Sequence, residues 1–167
     1  MKKFNSSGDI HFATFRTFKK FPYFKDEKCC LILLEEFFFR RDRVYPVSTI
    51  SRILQSIKGS SARRIIDLYT HLGSQEHLLL ARNDSAEPML CATPHNHRVN
   101  LKYRIWQPGF YDFNIYTDKK FWEKLDYIHN NPIKHGLTDN IAKYKYCSLR
   151  NYELGDHSIF KIDYPEG

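Results

Sequence analysis

The stretch Ile10-His-Phe-Ala-Thr-Phe-Arg-Thr-Phe18 decides how the chain begins to fold. Two sets of side chains alternate along it: Ile10, Phe12, Thr14, Arg16 and Phe18 form one set, and His11, Ala13, Phe15 and Thr17 form the other. Successive side chains of a strand point to opposite faces, and β-branched and aromatic residues favour strands. The stretch therefore predicts a β-strand, which Lys19-Lys20-Phe21-Pro22 ends.

A helix is predicted directly after this strand. Asp26 is suited to cap it, and Arg40 and Arg41 stand near its C-terminal end, where the helix dipole favours cations. The segment from Cys29 to Phe39 is apolar on nearly every side. This predicts that the helix is heavily buried, with Cys29 and Cys30 as small core residues.

A second helix is predicted beyond Pro46, with Ser48 or Thr49 as its cap. Its apolar residues recur at helical spacing: Ile50, Ile53, Leu54, Ile57, Ile65, Ile66, Tyr69 and Leu72. Gly59-Ser60-Ser61 is a point at which this helix kinks or restarts. Residues 83–100 lack periodicity and predict a long loop. Strands are then predicted at 103–106 and 110–116, around Gln107-Pro108-Gly109.

Charge is distributed unevenly along the 167 residues. Residues 1–64 hold 14 basic and 6 acidic side chains, whereas residues 65–167 hold 12 and 13. A basic half predicts a polyanionic partner, with nucleic acid ahead of an acidic membrane surface. The first residues have no apolar stretch after their lysines, which disfavours a signal peptide. The longest apolar run, Cys29–Leu34, is too short to span a bilayer. Four cysteines without a CxxC pair disfavour a zinc ribbon, so we expect a cytoplasmic protein.

A third helix, capped by Asp118 and running to about Asn130 before Pro132, carries the residues most suited to chemistry. Its predicted buried stripe is Phe121, Leu125 and Ile128, and the other face carries Lys120, Glu123, Lys124, Tyr127 and Asn131. Tyr127 and Asn131 are four residues apart and therefore neighbours on the helix surface. A phenol helped by Lys124 or by a metal ion is able to attack a phosphodiester. An amphipathic tyrosine at a helix rim is the simpler alternative.

Two segments resemble the REP-associated tyrosine transposases, which belong to the HUH single-tyrosine class of insertion-sequence transposases. They are Arg104-Ile-Trp-Gln-Pro-Gly-Phe-Tyr-Asp-Phe-Asn-Ile-Tyr116 and Leu125-Asp-Tyr-Ile-His-Asn-Asn-Pro-Ile-Lys-His-Gly-Leu137. The strand at His11–Thr17 and the helix that begins at Ile50 resemble the same family in the same order. The resemblance implies an α+β fold in which helices flank an antiparallel, ferredoxin-like sheet, here shortened to the Ile10–Phe18 and Phe110–Tyr116 strands. It implies a domain over residues 1–150, with a loop insertion near 83–100, and a tail over 151–167.

The resemblance also implies the catalytic residues. Tyr127 takes the place of the nucleophile, which forms a 5′-phosphotyrosine with single-stranded DNA and releases a 3′-hydroxyl. Asn131 takes the place of one ligand of a Mg²⁺ or Mn²⁺ ion. The other two ligands of the family are a His-hydrophobic-His pair on a strand between the first two helices. Here only Val44-Tyr45-Pro46-Val47 stand between Arg43 and Ser48, and an internal deletion is the simplest explanation.

Two other histidine segments fit the missing pair poorly. His95-Asn96-His97 has the spacing but stands in a loop-like context, and Glu76-His77 fits a continued helix. A metal ion held by one amide binds weakly. Strand cleavage is therefore expected to be poor or absent, and whether the chain is still an enzyme stays open.

DNA binding is expected to survive better than cleavage. The residues expected to contact single-stranded or hairpin DNA are Arg16, Lys19, Lys20, Arg52, Lys58, Arg104, Trp106, Gln107, Lys124, Lys134 and His135. Trp106, Phe110 and Tyr111 are able to stack on unpaired bases, with core packing as the alternative for each. The resemblance implies a homodimer, although lost strands would abolish it or expose sheet edges. The open alternatives are an inactive DNA-binding remnant and a partner-binding protein with a basic face.

Overall fold

A computed structural model describes residues 10–41, 49–71 and 103–162. In these ranges the regular elements are β1 (Ile10–Thr14), α1 (Glu27–Arg41), α2 (Ile50–His71), β2 (Tyr111–Ile115), α3 (Asp118–Lys134) and α4 (Leu149–Leu154). The fold is α+β with a two-stranded antiparallel sheet, as predicted. The chain forms two compact units, Met1–Phe113 and Asn114–Gly167. No helix in the described ranges is long and apolar enough to cross a membrane.

Four sequence predictions lie outside the described residues. They are the loop at 83–100, the junction at Val44–Val47, the continued helix at Glu76-His77 and the His95–His97 pair.

β1 and β2 form an antiparallel ribbon whose pairing continues past the end of β1. Near one end His11 Nδ1 lies 2.9 Å from Asp112 Oδ1, and this polar pair is largely buried. Further along, Thr17 forms an antiparallel bridge with Trp106 in the same register. The predicted strand is therefore confirmed as a paired segment, although its regular part ends at Thr14. We call the segments 10–18 and 105–115 together the ribbon.

The core of the first unit lies where the ribbon packs on the helices. Its buried members are Tyr23, Cys29, Ile65, Tyr69, Ile105 and Trp106. Asp26 closes the start of α1, since its Oδ1 accepts a hydrogen bond from the Lys28 amide at 2.9 Å, as the capping prediction required. The pKa of the Tyr69 hydroxyl is raised, first by burial and then by its contact with Cys29. These groups are structural parts of the core.

The predicted heavy burial of α1 is wrong. Leu31, Phe37 and Phe39 expose 43%, 39% and 44% of their surface. The helix packs on α2 and on the 3-10 turn Tyr23–Lys25, and a cylinder held along one side leaves its other sides uncovered. An apolar composition raises the tendency to be buried, but only neighbouring elements can supply the cover.

α2 is one continuous helix, so the predicted kink or restart at Gly59 is wrong. Thr49 is its cap, because Thr49 Oγ1 accepts a hydrogen bond from the Arg52 amide at 3.4 Å. Ser61 is fully buried and its Oγ donates to the Ile57 carbonyl at 2.7 Å, within the helical repeat. A glycine inside a helix costs only about 1 kcal/mol relative to alanine, which the packing of this helix outweighs.

α3, in the second unit, begins and ends differently from the prediction. Thr117, not Asp118, is the cap, because its side chain accepts a hydrogen bond from the Lys120 amide. The helix continues through Pro132 to Lys134. Leu137 donates its amide to the Pro132 carbonyl at 2.8 Å, and Gly136, at φ +63°, closes the helix with a second such bond. This Schellman ending satisfies the carbonyls of Pro132 and Ile133 in the last turn.

The predicted buried stripe of α3 is also partly wrong. Ile128 is 41% exposed, whereas His129 is only 7% exposed. His129 Nε2 lies 3.0 Å from Ser148 Oγ, and its ring is 5.8 Å from that of Tyr152 in α4. The chain after α3 thus covers the face that carries His129 and rotates the buried stripe by one residue.

The second unit is expected to lose stability as the pH falls below the ordinary range of histidine. Burial lowers the pKa of His129, against the smaller opposing effects of Glu153 and Asp126. Below about pH 6.5 the unfolded chain takes up a proton at this residue that the folded chain does not, so the free energy of unfolding falls with pH. This contribution is fully present above about pH 6.5 and is lost as the pH falls through the lower folded-state pKa.

Urea unfolding between pH 7.5 and 5 in a Trp106→Phe background, where the fluorescence comes from Trp122 in α3, measures this effect. His129→Gln should reduce the pH dependence, and the exposed control His135→Gln should keep it. An unchanged pH dependence in His129→Gln would contradict the assignment.

Candidate nucleic-acid interface

Two cations share one aromatic ring at the end of the ribbon. Lys19 Nζ lies 5.5 Å and Arg104 Cζ 5.3 Å from the centroid of the Phe18 ring. The Phe18 amide donates to the Ile105 carbonyl at 2.7 Å, which fixes the backbone that carries this ring. Attraction of each cation to the ring offsets part of the repulsion between the two like charges. Two of the predicted DNA-binding cations are thereby held close together.

The backbone at the neighbouring lysines is strained. Lys19 and Lys20 have φ values of 51° and 57°, in the left-handed region that residues with a Cβ rarely adopt. Such a conformation costs about 1–2 kcal/mol per residue. Both side chains are exposed. Strain of this kind is concentrated at functional sites, and here it falls on two surface cations.

Arg16 and Gln107 are also brought together, on opposite strands of the ribbon. The Gln107 amide donates to the Arg16 carbonyl at 2.9 Å. The Arg16 side chain is exposed. Within the described ranges, no carboxylate forms an ion pair with Arg16, Lys20 or Arg104. We call the surface formed by Arg16, Lys19, Lys20 and Arg104 the ribbon cation cluster.

Lys58 reaches the ribbon from α2, but its ammonium is engaged by backbone. Its Nζ donates to the carbonyls of Gln107 at 2.7 Å and Gly109 at 2.6 Å, and it lies 5.8 Å from the Phe15 ring. Partial burial lowers the pKa of this ammonium. The residue thus fixes the turn that contains Pro108, a role that the sequence pattern does not indicate.

Trp106 has the core packing that was the alternative to base stacking. It is 7% exposed, and its ring lies 4.9 Å from Phe15 and 5.2 Å from Phe24. Its Nε1 donates to Ser61 Oγ at 3.0 Å. Because these contacts occupy the faces and the edge of its ring, Trp106 stabilises the packing of the ribbon in the core.

The predicted polar face of α3 is present in the second unit. Tyr127 is 46% exposed. Glu123 accepts a hydrogen bond from Lys120 at 2.6 Å and lies 3.6 Å from Lys124 Nζ. The hydrogen bond from Lys120, more than any other contact, lowers the pKa of Glu123. The charge of Lys124 is therefore shared with a carboxylate, which reduces its effect on a neighbouring phenol.

Asn131 offers one metal-ligand atom on this face. Its Oδ1 is buried and, within the described residues, accepts no hydrogen bond. An amide oxygen is a suitable ligand for Mg²⁺ or Mn²⁺. However, the described residues contain no group of three His, Cys, Asp or Glu side chains that could hold a metal ion. One amide oxygen by itself is too small a ligand set for a divalent metal ion.

Three further predicted DNA-binding residues are Arg52, Lys134 and His135. Arg52 is exposed in the first turns of α2, and no contact in the described ranges joins it to the ribbon. Lys134 and His135 are exposed at the end of α3 in the second unit. Sequence reasoning missed that Phe18 would be the ring shared by two cations. The sequence held no signal for it, since the register that places Arg104 opposite Lys19 follows from the Thr17–Trp106 pairing seen in the structure.

Comparisons with known proteins find two relatives, each over part of the chain. A protein of Haemophilus influenzae named a REP-associated tyrosine transposase is 42% identical over 51 residues, which are 29% of this chain and 29% of that protein. The REP-associated tyrosine transposase of Escherichia coli K12 is 36% identical over 53 residues, or 32% of each chain. The matched part is thus about a third of the length of these curated relatives. No family model and no solved structure matches. The similarity supports a relation to these transposases over this limited length.

Proposed function

We propose that this protein is derived from the REP-associated tyrosine transposases and binds single-stranded or hairpin DNA with its first unit. The observation that carries the proposal is the ribbon cation cluster. It gathers three cationic side chains from residues 16–20 and that of Arg104 from the opposite segment, and two of the four share the Phe18 ring. The curated relatives in the comparison are transposases by name, which supports DNA as the polyanion.

The cluster is suited to phosphate rather than to a protein carboxylate. Its cations lie close together at one end of the ribbon, where Arg16, Lys19 and Lys20 are exposed, so they can contact neighbouring phosphates of one strand. Binding of this kind releases counterions and is therefore salt-dependent and largely independent of sequence. The backbone of Gln107 is held beside Arg16, and its side-chain amide can hydrogen-bond to a base or a phosphate.

Strand cleavage through Tyr127 is proposed to be impaired. The tyrosine is exposed on a polar helix face, as a nucleophile requires. A phenol is weakly nucleophilic at neutral pH unless its proton is removed or the phosphate is polarised. The described residues supply a single amide oxygen for a metal ion and a lysine already shared with Glu123. Loss of such polarisation and positioning raises a barrier by several kcal/mol.

The alternative function is a partner-binding protein with a basic face. The exposed apolar residues of α1, including Phe37 and Phe39, favour this alternative because a partner protein would cover them. It predicts no retention of oligonucleotides at moderate salt. We propose a cytoplasmic location for the protein, whichever of the two functions it has.

Removal of charge from the ribbon cation cluster is expected to lower the salt dependence of DNA binding. Each phosphate contact contributes about 0.7 to the slope of log K against log salt for a single strand. The triple variant Arg16→Gln, Lys19→Gln, Lys20→Gln should therefore reduce the slope by about 2. Fluorescence anisotropy with a labelled hairpin oligonucleotide between 50 and 300 mM salt measures the slope.

The matched control removes the same charge from exposed lysines of the second unit: Lys119→Gln, Lys143→Gln and Lys161→Gln. This control should keep the slope close to that of the unaltered protein. Equal slopes in the two triple variants would remove the cluster from the proposal. Absence of binding at 50 mM salt in the unaltered protein would favour the partner-binding alternative.

The same samples, incubated with Mg²⁺ or Mn²⁺ and run on a denaturing gel, report on cleavage. We expect no covalent protein–DNA adduct or only a trace. An abundant adduct that disappears in Tyr127→Phe would show an active nucleophile and contradict the proposed impairment.

A further inference from the structure

Tyr111, at the start of β2, is the exposed aromatic residue of the ribbon. It is 50% exposed, whereas Phe12, its neighbour across the strands, is 6% exposed. The two rings meet at 6.1 Å with an interplanar angle of 70°, an edge contact. One side of the Tyr111 ring is therefore anchored on a buried residue, while about half of its surface is open to solvent.

The main chain that leads to Tyr111 is fixed from two directions. Lys58 holds the carbonyls of Gln107 and Gly109 from the α2 side, and the Gln107 amide is bonded to Arg16 across the ribbon. Gly109 has a φ of +73°, and a Cβ at this position would meet no atom within 4 Å. The segment is thus preorganised and has open space beside it, so a ligand can approach closely without an ordering cost.

We propose that Tyr111 is a stacking platform for an unpaired base of the DNA whose phosphates lie on the ribbon cation cluster. The inference rests on the proposed function and adds a recognition element to it. The chain from Gln107, opposite Arg16, to Tyr111 is four residues long, so it spans at most about 14 Å. That span is at most about four nucleotides at 3.4 Å each. A strand that follows the ribbon therefore places phosphates on Arg16 and a base on Tyr111.

Stacking makes the platform selective for single strands. An aromatic ring can stack on any base whose face is free, whereas the bases inside a duplex are already stacked on one another. Lys58 acts here as a positioning residue, because its ammonium is engaged by two carbonyls instead of a phosphate. The ribbon thus contributes to DNA binding in two ways: the cations at one end attract phosphates, and Tyr111 stacks on an unpaired base.

Tyr111→Ala should weaken binding of a single-stranded oligothymidine about tenfold, within the range known for one stacked base. It should leave duplex binding and the salt slope unchanged, since no phosphate contact is lost. Tyr111→Phe should bind within about twofold of the unaltered protein, because the ring is kept. Tyr116→Ala is the control, a tyrosine 71% exposed just beyond β2.

A second measurement needs no change in the protein. A base-free strand of the same length, which keeps the phosphates, should bind the unaltered protein about tenfold more weakly than oligothymidine. Tyr111→Ala should bind the two strands almost equally. Equal binding of both strands by the unaltered protein, or an equal loss in Tyr111→Ala and Tyr116→Ala, would overturn the inference while leaving the proposed function intact. No salt-dependent binding of either strand would overturn both.

Discussion

Trp106→Ala is expected to lower the free energy of unfolding of the first unit by about 3–5 kcal/mol. Trp106 is 7% exposed, is packed between Phe15 and Phe24, and donates a hydrogen bond to Ser61. Its removal leaves a cavity where the ribbon meets α2 and the chain before α1. Urea denaturation followed by circular dichroism measures the loss.

Trp122→Ala is the matched control for this prediction. Trp122 is 55% exposed and touches Phe121 and Tyr152 only by ring edges. We expect its replacement to cost about 1 kcal/mol or less, as at most exposed sites. Similar losses for the two tryptophans would contradict the packing described for Trp106.

The hydrogen bond to Ser61 can be separated from the packing. Ser61→Ala leaves the Trp106 Nε1 donor buried without an acceptor, which costs about 1–3 kcal/mol. In a Trp106→Phe background the donor is already absent, so the same serine change should cost less. Additive losses would show that the bond contributes no coupling energy.

Ile65→Ala is expected to cost about 2–5 kcal/mol. Ile65 is fully buried in the core cluster of the first unit, on the side of α2 that packs on α1 and the ribbon. Deletion of its side-chain carbons removes apolar contacts and leaves a void among residues that are fixed by other contacts, including Tyr69.

Ile66→Ala is the neighbouring control. Ile66 carries the same side chain on the same helix but is only partly buried against the cluster. We expect a clearly smaller loss, because less apolar surface returns to water. Urea denaturation of both isoleucine variants measures the difference between their free energies of unfolding. Equal losses would contradict the placement of the core on the Ile65 side of α2.

Local signals in the sequence predicted most of the features that depend on near neighbours, although the cap of α3 is Thr117 and not Asp118. The alternation over Ile10–Phe18 predicted a strand, Asp26 was predicted as one helix cap, and Thr49 is the cap of the two candidates, Ser48 and Thr49, for the second helix. A cap or a strand alternation involves residues within a few positions, so composition and spacing record it. The same holds for the polar face of α3, where spacing alone placed Tyr127 on the solvent side.

Predictions that depended on long-range packing were less successful. Ile128, predicted to be buried, is exposed, and His129 is buried in its stead because the chain after α3 covers one face of that helix. Leu31, Phe37 and Phe39 are exposed because α1 packs along one side. Periodicity predicts neither outcome. It identifies the more apolar face of a helix but not which other elements pack against that face.

The sequence by itself determined an α+β chain with a basic first half, a first strand at Ile10–Phe18 and a helix whose polar face carries a tyrosine. Only the tertiary structure decided what the individual cations do. Lys58 and the Gln107–Gly109 turn are 49 and 51 residues apart in the chain, and Lys19 and Arg104 meet on Phe18 across the ribbon. The physical reason is that a charged side chain is used by whichever acceptor or ring folding brings within reach. One lysine therefore fixes a turn, while Lys19 and Lys20 remain exposed.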